Sequence, residues 1–279
     1  MKAYGGYAMG YYVPVESNVN LFVEDLNPDC KNVLVFLHGW PGSHELFEYQ
    51  FNVLPELGYR CIGIDQRGFG KSDKPYHGYD YDRLSDDVRC VMEALDLKNV
   101  TLIGHSTGGA IAVRYMARHR GFGVSKLVLC ATPAPSLIMR PNFPYGQTEQ
   151  SILDMIRNSY EDRPNMLMNF GNNFFYQHIS TAFNQWFFYL GLQAAGWSTV
   201  AIEKTWIREV LFDDLETIRV PTLILHGIHD KVVLPPLGEI QQKLIRNSKL
   251  VRFQFSGHGL FYDEKDKFNE ELCNFAEKA

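Results

Sequence analysis

The chain has 279 residues, long for one average domain and ordinary for a single α/β unit that carries an insertion. Its composition, 46% hydrophobic and 21% charged, excludes a disordered or collagenous chain, and a net charge of -5 from 27 basic and 32 acidic residues excludes a nucleic-acid footprint or a surface made for anionic lipid. Five cysteines with no CxxC pair, an N-terminus with no apolar secretory run, and apolar runs such as Trp186 to Leu190 that are far below spanning length predict a cytoplasmic protein with reduced thiols, no zinc site and no membrane segment.

The first elements are two short strands, Tyr11 to Val15 and Asn20 to Glu24, either side of a Glu16-Ser17-Asn18 turn, which predict an antiparallel hairpin at a sheet edge. From there the pattern changes. Asn32 to His38, Arg60 to Asp65, Val100 to Gly104, Lys126 to Ala131 and Thr222 to His226 are near-continuous apolar runs, as expected of strands buried on both faces. Between them Leu84, Val88, Val91, Met92 and Leu95 recur at helical spacing, and Ile111 and Tyr115 do the same. Strand and helix in alternation predict a mostly parallel α/β sheet flanked by helices. A strand at Leu250 to Phe255 and a helix with Phe268, Leu272 and Phe275 on one face close it.

The alternation breaks at Pro133-Ala134-Pro135 and resumes before Pro221, so residues 1–133 and 217–279 predict two parts of one core, and residues 134–216 an inserted helical cap. From Pro164 to Ile202 there is no Asp, Glu, Lys or Arg, yet ten aromatic residues fall between Phe170 and Trp197. That density implies burial against the core, an apolar substrate pocket roofed by the same residues, or both.

Three places on this frame carry chemistry. Gly104-His105-Ser106-Thr107-Gly108 is a G-x-S-x-G pentapeptide between a predicted strand and a predicted helix, the context a nucleophile elbow requires. The turn holds Ser106 in a strained conformation at the helix N-terminus, where the Thr107 N–H and the dipole favour negative charge. A serine is a weak nucleophile at neutral pH and needs a base that a third group orients. His258, in the glycine-bracketed Ser256-Gly257-His258-Gly259 loop after the last strand, is the expected base, and Asp230, four residues after the strand ending at His226, is the expected acid. Asp213 and Asp214 precede that strand, and Asp154 and Asp162 fall in the cap. His38, His105 and His229 read as structural, and His44, His77, His119 and His178 as surface or core.

The second oxyanion donor is expected in His38-Gly39-Trp40-Pro41-Gly42, where Trp40 offers a backbone N–H and Pro41 cannot. Pro41 also biases Trp40 toward an extended backbone. It either stiffens the loop or aims the Trp40 carbonyl at a peroxide that replaces water. The charged loop from Asp65 to Asp73 reads as scaffold that ties a long connection to the sheet.

With these residues in place, the chain resembles the α/β-hydrolase superfamily over essentially its whole length. Within it, the stretch from His38 through Arg67-Gly68-Phe69-Gly70-Lys71-Ser72-Asp73 to Gly104-His105-Ser106-Thr107-Gly108-Gly109 looks like the cofactor-free haloperoxidase and esterase branch. The resemblance implies an α/β-hydrolase fold, a triad of Ser106, Asp230 and His258, oxyanion N–H groups from Trp40 and Thr107, and no cofactor or metal. The expected partner is a small-molecule substrate, an ester opened through an acyl-enzyme, with perhydrolysis as a side activity. His38-Gly39-Trp40-Pro41 is also similar to epoxide hydrolases, but these and haloalkane dehalogenases have an aspartate where Ser106 stands, which moves the expectation from alkyl to acyl chemistry. Proline iminopeptidases carry a Gly-Gly-Pro-Gly loop that Gly39-Trp40-Pro41-Gly42 does not match. Carbon-carbon hydrolases share the triad, and a ligand-binding receptor of the same fold with slow turnover is the alternative from outside catalysis.

Overall fold

The computed structural model describes residues 8–277. The hairpin expected from the first residues is present as β1 (Ala8–Glu16) and β2 (Val19–Leu26), antiparallel, with Asn18 at its turn in the left-handed region at φ 62°. Six parallel strands follow: β3 (Asn32–Leu37), β4 (Tyr59–Ile64), β5 (Val100–His105), β6 (Val124–Cys130), β7 (Thr222–Gly227) and β8 (Ser248–Phe253). Together they form one eight-stranded sheet in the order β1-β2-β4-β3-β5-β6-β7-β8. The chain steps from β3 to β4 on one side and returns to lay β5 on the other. The loops after β3 and β5 therefore leave adjacent strand ends in opposite directions and open a crevice between them.

The apolar runs are continuous because each strand feeds two layers. Along β3, Val35 and Leu37 join Ile62, Ile64, Leu84 and Ile111 on one face, while Leu34 and Phe36 join Phe47, Ile103, Phe268 and Leu272 on the other. This is the two-residue period of a strand with no solvent side. Each such side chain contributes roughly 1.5–3 kcal/mol by leaving water. The helices in chain order are α1 (Glu48–Phe51), α2 (Tyr81–Ala94), α3 (Thr107–Arg118), α4 (Glu149–Gly171), α5 (Thr181–Leu192), α6 (Gly196–Arg208), α7 (Phe212–Thr217), α8 (Pro236–Leu244), α9 (Leu260–Asp263) and α10 (Lys265–Glu277). Side-chain caps start several of them: Asp80 accepts from the Arg83 N–H, Thr148 from Ser151 and Ser180 from Phe183.

Four helices, α4 to α7, lie between β6 and β7, where the alternation breaks. α4 is bent. Asp162 leaves the helical region at φ -154°, two residues before Pro164, whose ring and missing N–H oppose a straight helix. The Asp162 carboxylate then accepts from the Asn165 N–H at 3.1 Å and restarts the second half. The last strand runs Ser248–Phe253 rather than Leu250 to Phe255. Phe255 is 60% exposed and its N–H bonds Glu264 instead of β7, whereas the polar Ser248 and Lys249 pair with Thr222 and Leu223. An edge strand tolerates that polarity.

The charged loop after β4 is scaffold. Buried Asp65 accepts from the His44 N–H at 2.7 Å, His44 Nδ1 at 2.8 Å and the Lys71 N–H at 2.8 Å, while Asp73 takes the Asn20 N–H and Ser72 the Phe22 N–H. Fully buried Arg67 pairs with Asp87 and reaches Glu16, joining this loop to α2 and the hairpin.

Candidate active site

Ser106 directly follows β5 and begins the turn into α3. Its backbone sits at φ 52°, ψ -124°, a region that costs a non-glycine residue about 1–3 kcal/mol, and its N–H is anchored to the Cys130 carbonyl at 2.9 Å. The elbow is so tight that only glycines fit around it. A Cβ on Gly104 would stand 2.5 Å from the Gly108 carbonyl oxygen, and one on Gly39 would stand 2.9 Å from the Ser106 Cβ. The second contact shows that the loop after β3 lies against the serine. Trp40 follows in that loop with a cis bond to Pro41, its indole N–H bonded to the Thr199 carbonyl of α6 at 3.2 Å.

The loops after β7 and β8 supply the rest. Asp230 and His258 are both buried, and His258 Nδ1 donates to Asp230 Oδ2 at 2.8 Å. The other oxygen, Oδ1, accepts the N–H groups of Val232 and Val233 at 2.8 and 2.9 Å. Burial alone would push the Asp230 carboxyl up. The His258 charge, with hydrogen bonds from His226 and His258, instead holds it well below the usual carboxylate range. His258 Nε2 is buried with no hydrogen-bond partner among the described residues. The ring is held on its remaining sides: Phe174 stands edge-on at 4.9 Å, and His105 donates from Nε2 to the His258 carbonyl at 2.9 Å. Burial first, then the neighbouring His258, keeps His105 well below the ordinary histidine range, so it serves here as a neutral donor.

The structure thus joins Asp230 to His258 and puts Ser106, Thr107 and Trp40 together on the wall of one cavity of about 460 Å3. The cavity is lined further by both halves of bent α4, including Ile152, Met155, Met166 and Phe170, and by Trp206 of α6 and Val233. Trp206 also donates its indole N–H to Thr107 Oγ1 at 3.1 Å. Of the ten aromatic residues in the uncharged stretch, Phe170 alone lines this cavity. Phe174, Phe175, Phe183 and Phe187 instead stack among themselves and on Tyr262, and Tyr176 and Tyr189 are exposed. Burial accounts for more of that stretch than a pocket roof does.

Two contributors escaped the sequence reading. His226, at the end of β7, lies 3.5 Å from Asp230 Oδ2 through Nε2, a contact made by the turn folding back on itself. Asp263 of α9 accepts the N–H groups of Gly257, Tyr176 and Gln177, clasping the histidine loop to the chain after α4. No local pattern marks it.

A strained serine elbow at the crevice of a parallel sheet is the frame of an α/β hydrolase, and comparison with known proteins agrees. Residues 32–153 match the family model for the alpha/beta hydrolase fold. The AB hydrolase superfamily protein YisY of Bacillus subtilis is 46% identical over 268 residues, 96% of this chain and 99% of that one. The bifunctional esterase/perhydrolase DCH of Acinetobacter calcoaceticus is 30% identical over 95% of this chain and 98% of its own. Among solved structures, the esterase EaEST of Exiguobacterium antarcticum superposes with a TM-score of 0.94 at 40% identity, covering 97% of this chain and all of that one. A bromoperoxidase of Bacillus anthracis follows at 0.92 and 30%, again covering 97% of this chain and all of its own. The chain belongs to the α/β-hydrolase superfamily, in its haloperoxidase and esterase branch. Among the described residues no helix is long and apolar enough to cross a membrane.

Proposed function

We propose that the protein is a serine hydrolase that opens a carboxylic ester or related acyl bond of a small, largely apolar substrate through an acyl-enzyme. The observation that carries this reading is the orphaned Nε2 of His258. A buried imidazole fastened to a carboxylate through Nδ1 and left without a partner at Nε2 is suited to take a proton from a hydroxyl. Ser106, next in chain to the His105 that touches His258, supplies that hydroxyl from its strained elbow.

In this mechanism Ser106 Oγ attacks the carbonyl carbon and its proton passes to His258 Nε2. The oxyanion accepts hydrogen bonds from the Trp40 and Thr107 N–H groups; Thr107 is the first residue of α3, where a helical N–H has no carbonyl one turn back. The tetrahedral centre collapses, His258 returns the proton to the departing alkoxide, and water repeats the sequence on the acyl-enzyme. Asp230 stays ionised throughout and fixes the ring. When hydrogen peroxide takes the place of water, the acyl group leaves as a peracid, the side activity that the name of the Acinetobacter relative supports. Residues 134–216 act as the cap that bounds the substrate cavity from above.

The test is hydrolysis of p-nitrophenyl esters of graded chain length by the wild type and Ser106→Ala, with mass-spectrometric mapping of the residue labelled by a fluorophosphonate. Ser106→Ala is expected to lose roughly 10^6-fold in kcat while keeping its fold, because the three residues act as a unit. Substantial turnover in that variant, or labelling elsewhere, overturns the reading. Acylation that stops after one turnover in the wild type favours the receptor instead.

A further inference from the structure

His226 is a buried histidine that the mechanism above does not use, and its surroundings specify its role. Its Nε2 is 2.8 Å from the Val233 carbonyl oxygen. A carbonyl can only accept, so Nε2 carries the hydrogen. The same N–H faces Asp230 Oδ2 at 3.5 Å, the oxygen that receives His258. The Val233 peptide completes the arrangement: its carbonyl takes the hydrogen of His226 while its N–H goes to Asp230 Oδ1 at 2.9 Å. One turn of chain, 226 to 233, is thereby closed on the carboxylate from both oxygens. On the other edge of the ring, Nδ1 is buried without a partner among the described residues, and a Cβ on Gly238 of α8 would come within 2.8 Å of it. The space there admits a bare nitrogen.

We infer that His226 is a positioning residue of the proposed reaction: as the Nε2–H tautomer it locks the Val233 turn and shares the charge of Asp230, setting both the direction and the strength of the Asp230 bond to His258. The inference rests on the functional reading above. Of the other charged and titratable groups around this turn, Lys231 is exposed and lines the cavity. Arg252, opposite His226 on β8, is bound by Glu239 of α8 at 2.9 Å, and His229 is stacked on Tyr176 at 3.8 Å. His105 donates to the His258 backbone carbonyl and packs its ring 4.8 Å from the His258 ring. His226 is the one further side chain within reach of the Asp230 carboxylate among the described residues.

With His226 in place, part of the negative charge on Oδ2 is drawn away from His258. In His226→Leu the full charge faces His258, and the turn loses its brace. The expected result is a kcat lower by about 10- to 100-fold, the span that losing a hydrogen bond to a charged group covers. KM should stay within about twofold, and the acid limb of the kcat/KM profile should move to higher pH. His226→Gln, which can place an amide N–H where Nε2 stood, should recover most of kcat and return the limb toward its wild-type position. A wild-type limb in His226→Leu, or equal losses in the two variants with KM raised in both, overturns the inference. Nitrogen-labelled histidine NMR of the wild type needs no variant to fold: His226 must show a protonated Nε2 and a bare Nδ1 at neutral pH, and the opposite tautomer overturns the assignment. Ser106→Ala, assayed alongside, separates the two levels. Turnover surviving there refutes the functional reading, whereas an inactive Ser106→Ala beside an unaffected His226→Leu refutes the role of His226 alone.

Discussion

Asp230 accepts from His258 and from two backbone N–H groups, and has a second histidine beside it, so its geometry leaves little room for an amide. In Asp230→Asn the NH2 must face either the Val232 and Val233 N–H groups or His258. One choice breaks the turn, and the other forces His258 to present a lone pair at Nδ1 and so carry its hydrogen on Nε2, where the base must be free. We expect kcat to fall roughly 10^4-fold with the far-ultraviolet dichroism unchanged; activity within tenfold of wild type would show that the acid lies elsewhere. Gly39→Ala should be comparably harmful, since its Cβ would stand 2.7 Å from His105 Nδ1 and 2.9 Å from Ser106 Cβ, both buried, with the His105 ring pinned by its bond to the His258 carbonyl. A Gly39→Ala enzyme with unchanged kcat and melting temperature would mean that this loop yields more easily than its packing implies. At this scale the sequence located the three residues because each has local punctuation beside it: Gly104 and Gly108 around Ser106, Gly257 and Gly259 around His258, a strand end before Asp230. His226 and Asp263 carry none. Their part depends on a turn folding back on itself and on α9 meeting the chain after α4, contacts no spacing rule encodes.

Among elements, the strands were legible from their apolar runs and the flanking helices from their periodicity, since each face is buried against a different layer. The helices between β6 and β7 were legible as helical but not in their arrangement. The bend in α4 arises where Pro164 ends one half and Asp162 caps the next, and it turns both halves toward the same cavity. α6 packs on α4 and brings with it Glu203, fully buried, which accepts from Ser159 Oγ at 2.7 Å through one oxygen and has no partner at the other. Burial pushes this carboxyl up to about 7. Because the folded value lies above the unfolded one, its contribution to stability is fully present below the unfolded value and is lost as pH rises through about 7, by roughly 3 kcal/mol for a shift of this size. Glu203→Gln keeps an acceptor for Ser159 and cannot ionise. Its melting temperature should therefore stay nearly level between about pH 5 and 8 while that of the wild type declines. Parallel slopes in the two proteins would show that Glu203 does not titrate in this range.

For the whole molecule, the sheet and the helices between β6 and β7 meet around the cavity of about 460 Å3, with Ser106 and Thr107 on one side and Met155 of α4 on the other. The composition of residues 164–202 left burial and a cavity roof both open; the residues that line the cavity were not legible in it, because the densest aromatic stretch is spent on packing against the histidine loop rather than on the cavity wall. If a substrate chain extends from Ser106 toward α4, its length is limited by that wall. Met155 is half-buried and faces the space, so replacing it with tryptophan adds bulk there without overpacking the core. Each methylene kept out of the cavity forfeits about 0.8 kcal/mol of transfer free energy, so excluding two or three should lower kcat/KM for p-nitrophenyl octanoate by about 10- to 60-fold. The acetate ester, too short to reach α4, should be turned over at the wild-type rate by Met155→Trp, which serves as the internal control for an undamaged site. The quantity to measure is the octanoate-to-acetate ratio of kcat/KM in both proteins. A ratio that falls places the chain along this cavity; an unchanged ratio with both activities intact means that the chain leaves Ser106 by another route.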